Sequence, residues 1–198
     1  MVARQLRRRG IYDERVLAAM AAVPRELFLP PGQRRRAYRD GAVRIGEGQT
    51  MSQPWIVACM AQLLELDGTE TVLEVGTGSG YAAAVLSLLA REVVTIERYE
   101  SLGRKAEETL RELGYLNVEV RVGDGSLGAP DRAPFGGISV TATARDEPPA
   151  ALFEQLAPGA ALVCPVERHG RQYLICLRDG EEEVVTGVRF VPLVTGDP

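Results

Sequence analysis

Histidine and cysteine are scarce in this chain, which contains one histidine and three cysteines in 198 residues. His169 lies in the polar segment ERHGRQ, whereas Cys59, Cys164 and Cys176 lie in apolar sequence without the spacing of metal ligands. A serine nucleophile needs a neighbouring base, and the one histidine, in a polar segment, is a poor candidate for it. A zinc site needs several clustered ligands, which this sequence does not offer. We therefore expect no metal and no disulfide, with His169 in a turn and the three cysteines buried as free thiols.

Long apolar runs and an excess of basic residues are also missing. No segment reaches the roughly 18 apolar residues of a membrane helix, and the N-terminus lacks the apolar run of a signal peptide. The net charge is −4 and the pI is about 5.2, which gives no electrostatic reason to expect a nucleic acid partner. Two short basic runs, 4–10 and 34–36, are predicted to be solvated surface. We expect a cytoplasmic monomer that binds neither nucleic acid nor a membrane.

With 198 residues, of which 45% are apolar, the chain can form a substantial hydrophobic core. We expect a single domain spanning 1–198. Its first part, 1–66, is predicted to hold helices and a loop, and its second part, 70–198, the core. A helix is predicted over 13–29, capped by Asp13 and stopped by Pro24. The loop over 30–51 is long enough to be functional, and a helix from Gln53 to about Leu66 follows it.

Strands and helices alternate from residue 70 onward. Strands are predicted at 71–76, 92–97, 117–123, 137–142 and 161–166, and helices at 79–90, 100–113 and near 149–156. Strict alternation implies a parallel sheet covered on both faces. The turn signal Asp179-Gly180 inside 171–193 predicts a closing antiparallel hairpin. The predicted fold class is α/β: a mostly parallel, doubly wound sheet with a C-terminal hairpin and N-terminal helices.

The segment VLEVGTGSGY, 72–81, places Gly76, Gly78 and Gly80 where the first strand of the core meets its helix. Doubly wound folds bind ligands at this junction, because the carboxyl ends of the strands form a crevice there. Glycine lets the backbone approach such a ligand closely. The spacing is G-x-G-x-G and not the G-x-G-x-x-G of dinucleotide sites, which disfavours a nicotinamide oxidoreductase.

Acidic residues mark three adjacent strands. Glu74 precedes the glycine turn, Glu97 ends the second core strand, and Asp124 follows the third in VGDG. A carboxylate at the end of the second strand can accept hydrogen bonds from both ribose hydroxyls of a nucleoside. Asp124 is placed to meet an adenine edge. Together with the glycine turn, these residues predict a site for S-adenosylmethionine.

The chain resembles the protein-L-isoaspartate(D-aspartate) O-methyltransferase family along nearly its whole length. The matching segments are VPRELFLP (23–30), AYRDGAVRIGEGQTMSQPWIVACM (37–60), VLEVGTGSGYAAAVL (72–86), VTIER (94–98), VGDGSLG (122–128), QLAPGAALVCPV (155–166) and VRFVPL (188–193). The GQT-x-SQP segment and the terminal FVPL are the most specific of these. The resemblance implies a Rossmann-like, S-adenosylmethionine-dependent methyltransferase fold, with its last strands swapped relative to other methyltransferases.

The resemblance also implies the roles of individual residues. Ser52 matches an active-site serine that orients the substrate carboxylate, which is already ionised at neutral pH and needs no base. An alternative from the sequence is that Ser52 caps the next helix, and one hydroxyl can do both. The implied cofactor contacts are Thr50, Met51, Glu74, Gly76, Thr77, Gly78, Gly80, Glu97, Arg98, Asp124 and Gly125. The implied substrate contacts are Ile45, Gln53, Val191 and Pro192.

The implied reaction is methyl esterification of L-isoaspartyl and D-aspartyl residues in damaged proteins, with S-adenosylhomocysteine as the second product. The ester then closes to a succinimide, whose hydrolysis restores part of the normal linkage. Gly136 and Ala160 depart from the family pattern, which usually has Asp at the first of these positions. They leave room for a carboxyl methyltransferase acting on a normal Asp of a dedicated peptide. A non-catalytic adenosyl-binding protein is a second alternative, against which Ser52, Glu97 and Asp124 argue.

Overall fold

Short helices and one small hairpin form the first part of the computed structural model, which describes residues 1–196. They are a π-helical turn (Val2–Leu6), a 3₁₀ turn (Arg7–Arg9), helix α1 (Glu14–Ala22), 3₁₀ helices Arg25–Phe28 and Pro31–Arg36, strands β1 (Val43–Gly46) and β2 (Gln49–Met51), and helix α2 (Pro54–Leu63). The two basic runs predicted as surface, 4–10 and 34–36, expose all their arginine side chains.

Helix α1 begins as predicted but ends early. The Asp13 carboxylate accepts hydrogen bonds from the backbone N–H of Arg15 and Val16, so the predicted cap is confirmed. The predicted stop at Pro24 is confirmed, because Pro24 forces Val23 into an extended conformation and the helix ends at Ala22. The predicted outer bound at Leu29 is wrong. The following residues form a separate 3₁₀ helix, Arg25–Phe28.

The segment 30–51 is not the plain loop that we predicted. Strands β1 and β2 pair antiparallel within it, with Val43 opposite Met51. Val43, Ile45 and Met51 are buried, and this burial holds the hairpin against the core. The alternation of apolar residues at 43 and 45 is the signal for a short strand. Helix α2 also covers less than predicted, since it starts at Pro54 and ends at Leu63.

The core is one mixed sheet with helices between its strands. In chain order its elements are β3 (Thr71–Val75), α3 (Tyr81–Ser87), β4 (Glu92–Glu97), α4 (Glu100–Glu112), β5 (Val118–Val122), β6 (Phe135–Val140), β7 (Ala144–Arg145), α5 (Ala150–Phe153), β8 (Leu156–Arg168), β9 (Arg171–Arg178) and β10 (Glu181–Gly187). The strand order is β10-β9-β8-β6-β3-β4-β5, and β7 pairs with β8. The pairs from β5 through β8 are parallel, whereas β8, β9 and β10 are antiparallel and lie in chain order. The predicted α/β class is confirmed.

Both faces of this sheet are covered. Val72 and Val93 point into the cluster that contains the buried faces of α1, α2, α3 and α4. Their neighbours Leu73 and Val94 point into a second cluster that includes Leu152 of α5. Adjacent strand residues therefore enter opposite cores, as a doubly wound sheet requires. Within residues 1–196, no helix has the length and apolar character needed to cross a membrane.

The C-terminal strands confirm one prediction and correct others. Asp179 and Gly180 have φ values of 51° and 81° and form the predicted hairpin turn between β9 and β10, while His169, with φ 53°, lies in the turn before β9. β8 is 13 residues long and starts well before the predicted strand 161–166. The helix predicted near 149–156 is reduced to α5, and β7 was not predicted. The three cysteines are buried and unpaired.

Gly136 lies at the start of β6 and faces the side chain of Glu70. A Cβ at position 136 would lie 2.5 Å from Glu70 Cγ and 2.6 Å from Glu70 Cβ. The Glu70 carboxylate is itself fixed, because it accepts hydrogen bonds from the backbone N–H of Asp67 and Gly68 at 2.7 and 2.9 Å. A side chain at position 136 would therefore require Glu70 to move.

Gly136→Ala should lower the free energy of unfolding by about 1–3 kcal/mol, the usual cost of forcing extra atoms into a packed site. Urea denaturation measures this change. Gly32→Ala is the matched control, since a Cβ there meets nothing within 4 Å. Equal stability of the two variants would show that Glu70 moves aside freely.

Candidate active site

A cavity of about 1070 Å³, its open mouth included, lies at the carboxyl ends of β3, β4 and β6. A ligand site was predicted from the sequence at this edge of the sheet. The cavity is lined by the glycine turn, the end of β4, strand β2 with Ser52, one face of α2, and the segment 191–194. Of the predicted cofactor contacts, it brings together Thr50, Met51, Gly76, Thr77, Gly78, Glu97, Arg98 and Gly125.

The three glycines of the turn serve different purposes. All have positive φ, at 94° for Gly76, 55° for Gly78 and 84° for Gly80. Gly76 is needed because a Cβ there would lie 2.3 Å from Thr141 Oγ1. Gly80 does not line the cavity, and a Cβ there would press on Leu110 and Ala106 of α4 at 3.2–3.3 Å. The third glycine thus packs the turn on a helix, a role that the sequence did not reveal.

Glu97 joins the end of β4 to the glycine turn. Its carboxylate accepts hydrogen bonds from the backbone N–H of Gly78 at 2.7 Å and of Tyr99 at 3.0 Å. The side chain is buried, yet it lines the cavity. A carboxylate oxygen can accept two hydrogen bonds, so each oxygen keeps one free for a ribose hydroxyl.

Glu74 lies beneath the cavity and does not line it. Its Oε2 accepts a hydrogen bond from Thr95 Oγ1 at 2.6 Å, and Thr95 Oγ1 is 2.7 Å from Thr77 Oγ1, which belongs to the lining. Glu74 Oε1 has no hydrogen-bond partner among the described residues. Complete burial, together with the nearby charge of Glu97, raises the pKa of Glu74 to about 8. Contact between Glu74 and a ligand therefore passes through two hydroxyl groups.

Replacing Glu74 by Gln should remove a pH dependence of stability in the ligand-free protein. The unfolded chain releases the Glu74 proton near pH 4.5 and the folded chain only near pH 8, so wild-type stability falls with rising pH in between. The slope is at most about 1.4 kcal/mol per pH unit for one group. Urea denaturation at pH 5 and pH 8 should show the Gln variant gaining on the wild type. Parallel curves would place the Glu74 pKa near its ordinary value.

Asp124 caps a 3₁₀ turn, Gly125–Leu127, and stays out of the cavity lining. Its Oδ1 accepts from the backbone N–H and the hydroxyl of Ser126, and its Oδ2 accepts from the backbone N–H of Gly196 at 2.6 Å. Burial alone would raise its pKa, but these hydrogen bonds outweigh burial and lower it. Arg98 Nη1 donates to the Gly196 carbonyl at 2.8 Å. The C-terminal segment is therefore fastened across the ends of β4 and β5.

Ser52 lies between β2 and α2, one residue before the helix cap. The N-cap position is Gln53, whose side-chain amide donates to Asp40, so the alternative that Ser52 caps α2 is wrong. Ser52 lines the cavity, and its backbone carbonyl accepts a hydrogen bond from Arg25. Its hydroxyl is thus not needed by the helix and is available to a ligand.

A second cavity adjoins the first on the side of β10 and α2. Thr50, Ser52, Thr141 and Val191 line both cavities and form the wall between them. The predicted substrate contacts divide accordingly: Gln53 lines the second cavity, Pro192 the first, and Val191 both. Ile45 lines neither, and its Cδ1 would be 3.3 Å from a Cβ at Gly78, so it packs under the glycine turn.

Several lining residues were missed by the sequence analysis. The end of β6 contributes Ser139, Thr141 and Ala142, α2 contributes Val57, Met60 and Ala61, and the last segment contributes Leu193 and Val194. The first group had a signal: β6 was predicted as a parallel strand, and parallel strands end at one sheet edge. The other two depend on contacts between distant parts of the chain.

The doubly wound sheet, the G-x-G-x-G turn and a carboxylate at the end of β4 define a methyltransferase of the Rossmann-like class. A family model described as Protein-L-isoaspartate(D-aspartate) O-methyltransferase (PCMT) matches residues 1–197. The chain therefore belongs to the protein-L-isoaspartate(D-aspartate) O-methyltransferase family. The family predicted from the sequence motifs is confirmed.

Relatives and solved structures agree with this membership. The chain is 50% identical to a protein-L-isoaspartate O-methyltransferase of Herpetosiphon aurantiacus, over 98% of this chain and 88% of the relative. It is 53% identical to protein-L-isoaspartate O-methyltransferase 2 of Marinobacter nauticus, over 98% and 91% of the two chains. A solved protein-L-isoaspartate O-methyltransferase superposes with a TM-score of 0.84 at 29% identity, over 96% of this chain and 64% of that one. A Plasmodium falciparum structure, titled as a putative enzyme of this kind in complex with S-adenosyl-L-homocysteine, superposes with a TM-score of 0.81 at 25% identity, over 95% and 94% of the two chains.

Proposed function

We propose that this enzyme transfers a methyl group from S-adenosylmethionine to the free carboxylate of L-isoaspartyl and D-aspartyl residues in damaged proteins, which initiates their repair. The observation that carries this proposal is the wall shared by the two cavities. Ser52 belongs to that wall. On one side of it lies the first cavity, with the glycine turn and Glu97, and on the other lies the second cavity, which is open to a polypeptide. A transfer between two ligands needs such a meeting point.

The first cavity fits the proposed cofactor. Glu97 has acceptor capacity for a ribose diol, the lining glycines Gly76 and Gly78 leave backbone free for close approach, and Met60 and Leu86 add apolar surface. Asp124 would act on the cofactor indirectly, by fixing the turn that contains Gly125. Glu74 would act on it through the hydroxyl groups of Thr95 and Thr77. When bound, S-adenosylmethionine supplies a methyl group on a positively charged sulfur.

The work left to the protein is positioning. A carboxylate has a pKa near 4 and is already ionised at neutral pH, so no general base is required. Neither cavity lining includes the one histidine, His169. The Ser52 hydroxyl would donate one hydrogen bond to the substrate carboxylate and hold its other oxygen toward the first cavity, at the near-attack distance of about 3–3.5 Å. Two residues of the C-terminal segment, Leu193 and Val194, add apolar surface to the first cavity.

The later steps need no further group from the protein. A methyl ester is a better electrophile than a carboxylate, so the following backbone nitrogen attacks it, expels methanol and closes a succinimide. Water then opens the ring at either carbonyl. One opening restores the normal aspartyl linkage, and the other returns the isoaspartyl substrate for another cycle.

Mass spectrometry on paired peptides tests this function. The protein is incubated with S-adenosylmethionine and two peptides that differ only in having Asp or isoaspartate at one position. A mass gain of one methyl group on the isoaspartyl peptide alone is the expected result. Methylation of the Asp peptide would favour the carboxyl methyltransferase of a dedicated peptide, and methylation of neither would favour a non-catalytic adenosyl-binding protein.

We also propose that the enzyme acts as a cytoplasmic monomer, without nucleic acid or membrane partners. The three buried, unpaired cysteines support a reducing compartment. The net charge of −4 gives no electrostatic attraction to nucleic acid. Light scattering after size exclusion should give a mass near 21.5 kDa.

A further inference from the structure

Arg25 carries a fully buried charge beside the proposed active site. It is 0% exposed, although arginine is rarely buried without a charged partner. Its Nε donates to the Ala37 carbonyl at 2.8 Å, and its Nη2 donates to the Ser52 carbonyl. The guanidinium carbon lies 4.5 Å from the centre of the Tyr81 ring.

These contacts do not fully compensate for burying the charge of Arg25. Arg25 Nη1 has no hydrogen-bond partner among the described residues, and burial lowers the pKa of the side chain, with Tyr81 opposing this effect. The guanidinium group nevertheless stays charged, because arginine is not deprotonated in proteins. Replacing a buried charge by an apolar group of similar volume is often neutral or stabilising. The buried arginine therefore calls for an explanation other than stability.

The partners of Arg25 belong to the two sides of the proposed reaction. Ser52 lies in the wall that both cavities share, whereas Tyr81 begins α3 directly after the glycine turn and lines only the first cavity. Ala37 ends the 3₁₀ helix Pro31–Arg36, at the start of the segment that leads into the β1–β2 hairpin. One rigid side chain thus links the acceptor side to the cofactor side.

We propose that Arg25 is a positioning residue for Ser52: by holding the Ser52 carbonyl while stacking on Tyr81, it fixes the direction of the Ser52 hydroxyl relative to the first cavity. This inference rests on the function proposed above. Arg25 touches neither ligand in this scheme and acts only through the Ser52 peptide. Its removal should therefore affect the chemical step more than the binding of either ligand.

Arg25→Met should lower kcat for an isoaspartyl peptide about 10-fold, since small misplacements of a reacting pair can cost up to about 100-fold. The peptide KM and the dissociation constant of S-adenosylhomocysteine should stay within about twofold, because neither ligand contacts Arg25. Arg15→Met is the matched control. Arg15 also donates to two backbone carbonyls, those of Leu66 and Leu89, but lines neither cavity. Its loss should lower the melting temperature and leave kcat unchanged.

A double-mutant cycle with Ser52→Ala separates positioning from a general structural effect. If Arg25 acts through Ser52, Arg25→Met should cost less than about threefold in the Ser52→Ala background. A further 10-fold loss there, or full activity of the single variant, would overturn the inference. If the methionine variant lacks a cooperative melt, Arg25→Lys replaces it in the same cycle, with the same expected and refuting results. Failure of the wild type to methylate the peptide would overturn the proposed function and this inference together, whereas an active wild type matched by Arg25→Met would overturn only the inference.

Discussion

Ser52→Ala should lower kcat for an isoaspartyl peptide by about one to three orders of magnitude, the effect of removing one well-placed hydrogen-bond donor from an active site. The affinity for S-adenosylhomocysteine should change little, because the cofactor features lie on the glycine turn and at the end of β4. The melting temperature should also stay nearly constant, since Gln53 and not Ser52 holds the cap position of α2. Steady-state kinetics with the paired peptides measures the first effect, and calorimetric titration the second.

Ser101→Ala is the control for this experiment. The Ser101 hydroxyl donates to Glu47 Oε1 at 2.8 Å, beside the same hairpin, but Ser101 lines neither cavity. Its loss should leave kcat unchanged. Full activity of Ser52→Ala would mean that the carboxylate is oriented by other groups, and the catalytic assignment would be wrong. A methyl group found on Ser52 itself during turnover would also contradict a purely positioning role.

The sheet and its ligand edge could be predicted because their signals are local. Runs such as TVLEV and EVVTIE are apolar on both faces, which only strands covered on both sides can accept. Glu97 follows from the same rule, since the carboxyl ends of parallel strands meet at one edge. The hairpin at Asp179-Gly180 could also be predicted, because this dipeptide suits positive φ at both positions.

What could not be predicted depends on partners far away in the chain. Nothing in LEVG tells whether Glu74 faces a ligand or a buried threonine, and this depends on its pairing with β4 in register with Thr95. The sequence likewise does not show that Gly80 meets α4 or that Gly136 meets Glu70. Arg25 looks like an ordinary surface residue of a polar segment until Ala37, Ser52 and Tyr81 are folded around it. The limits of sequence reasoning here are limits on long-range packing.

Glu97→Ala should weaken the binding of S-adenosylhomocysteine by about 2–3 kcal/mol, roughly 30- to 150-fold, the range for losing hydrogen bonds to a charged group. Two causes act together. The proposed ribose contacts disappear, and the backbone N–H groups of Gly78 and Tyr99 lose the acceptor that shapes the glycine turn. Calorimetric titration gives the affinity directly. Saturating ligand should also raise the melting temperature of the wild type far more than that of the variant, because the ligand binds only the folded state.

Two further variants separate these causes. Glu97→Gln keeps one carbonyl oxygen as an acceptor for the Gly78 N–H while it removes the charge, so its affinity should lie between those of the wild type and Glu97→Ala. Glu92→Ala is the matched control, because Glu92 begins the same strand at the opposite end and pairs with Arg132 at 2.9 Å. Its affinity should equal that of the wild type. If Glu97→Ala also bound the ligand with unchanged affinity, the nucleoside would have to lie elsewhere than at the end of β4, and the cofactor site proposed for this cavity would be wrong.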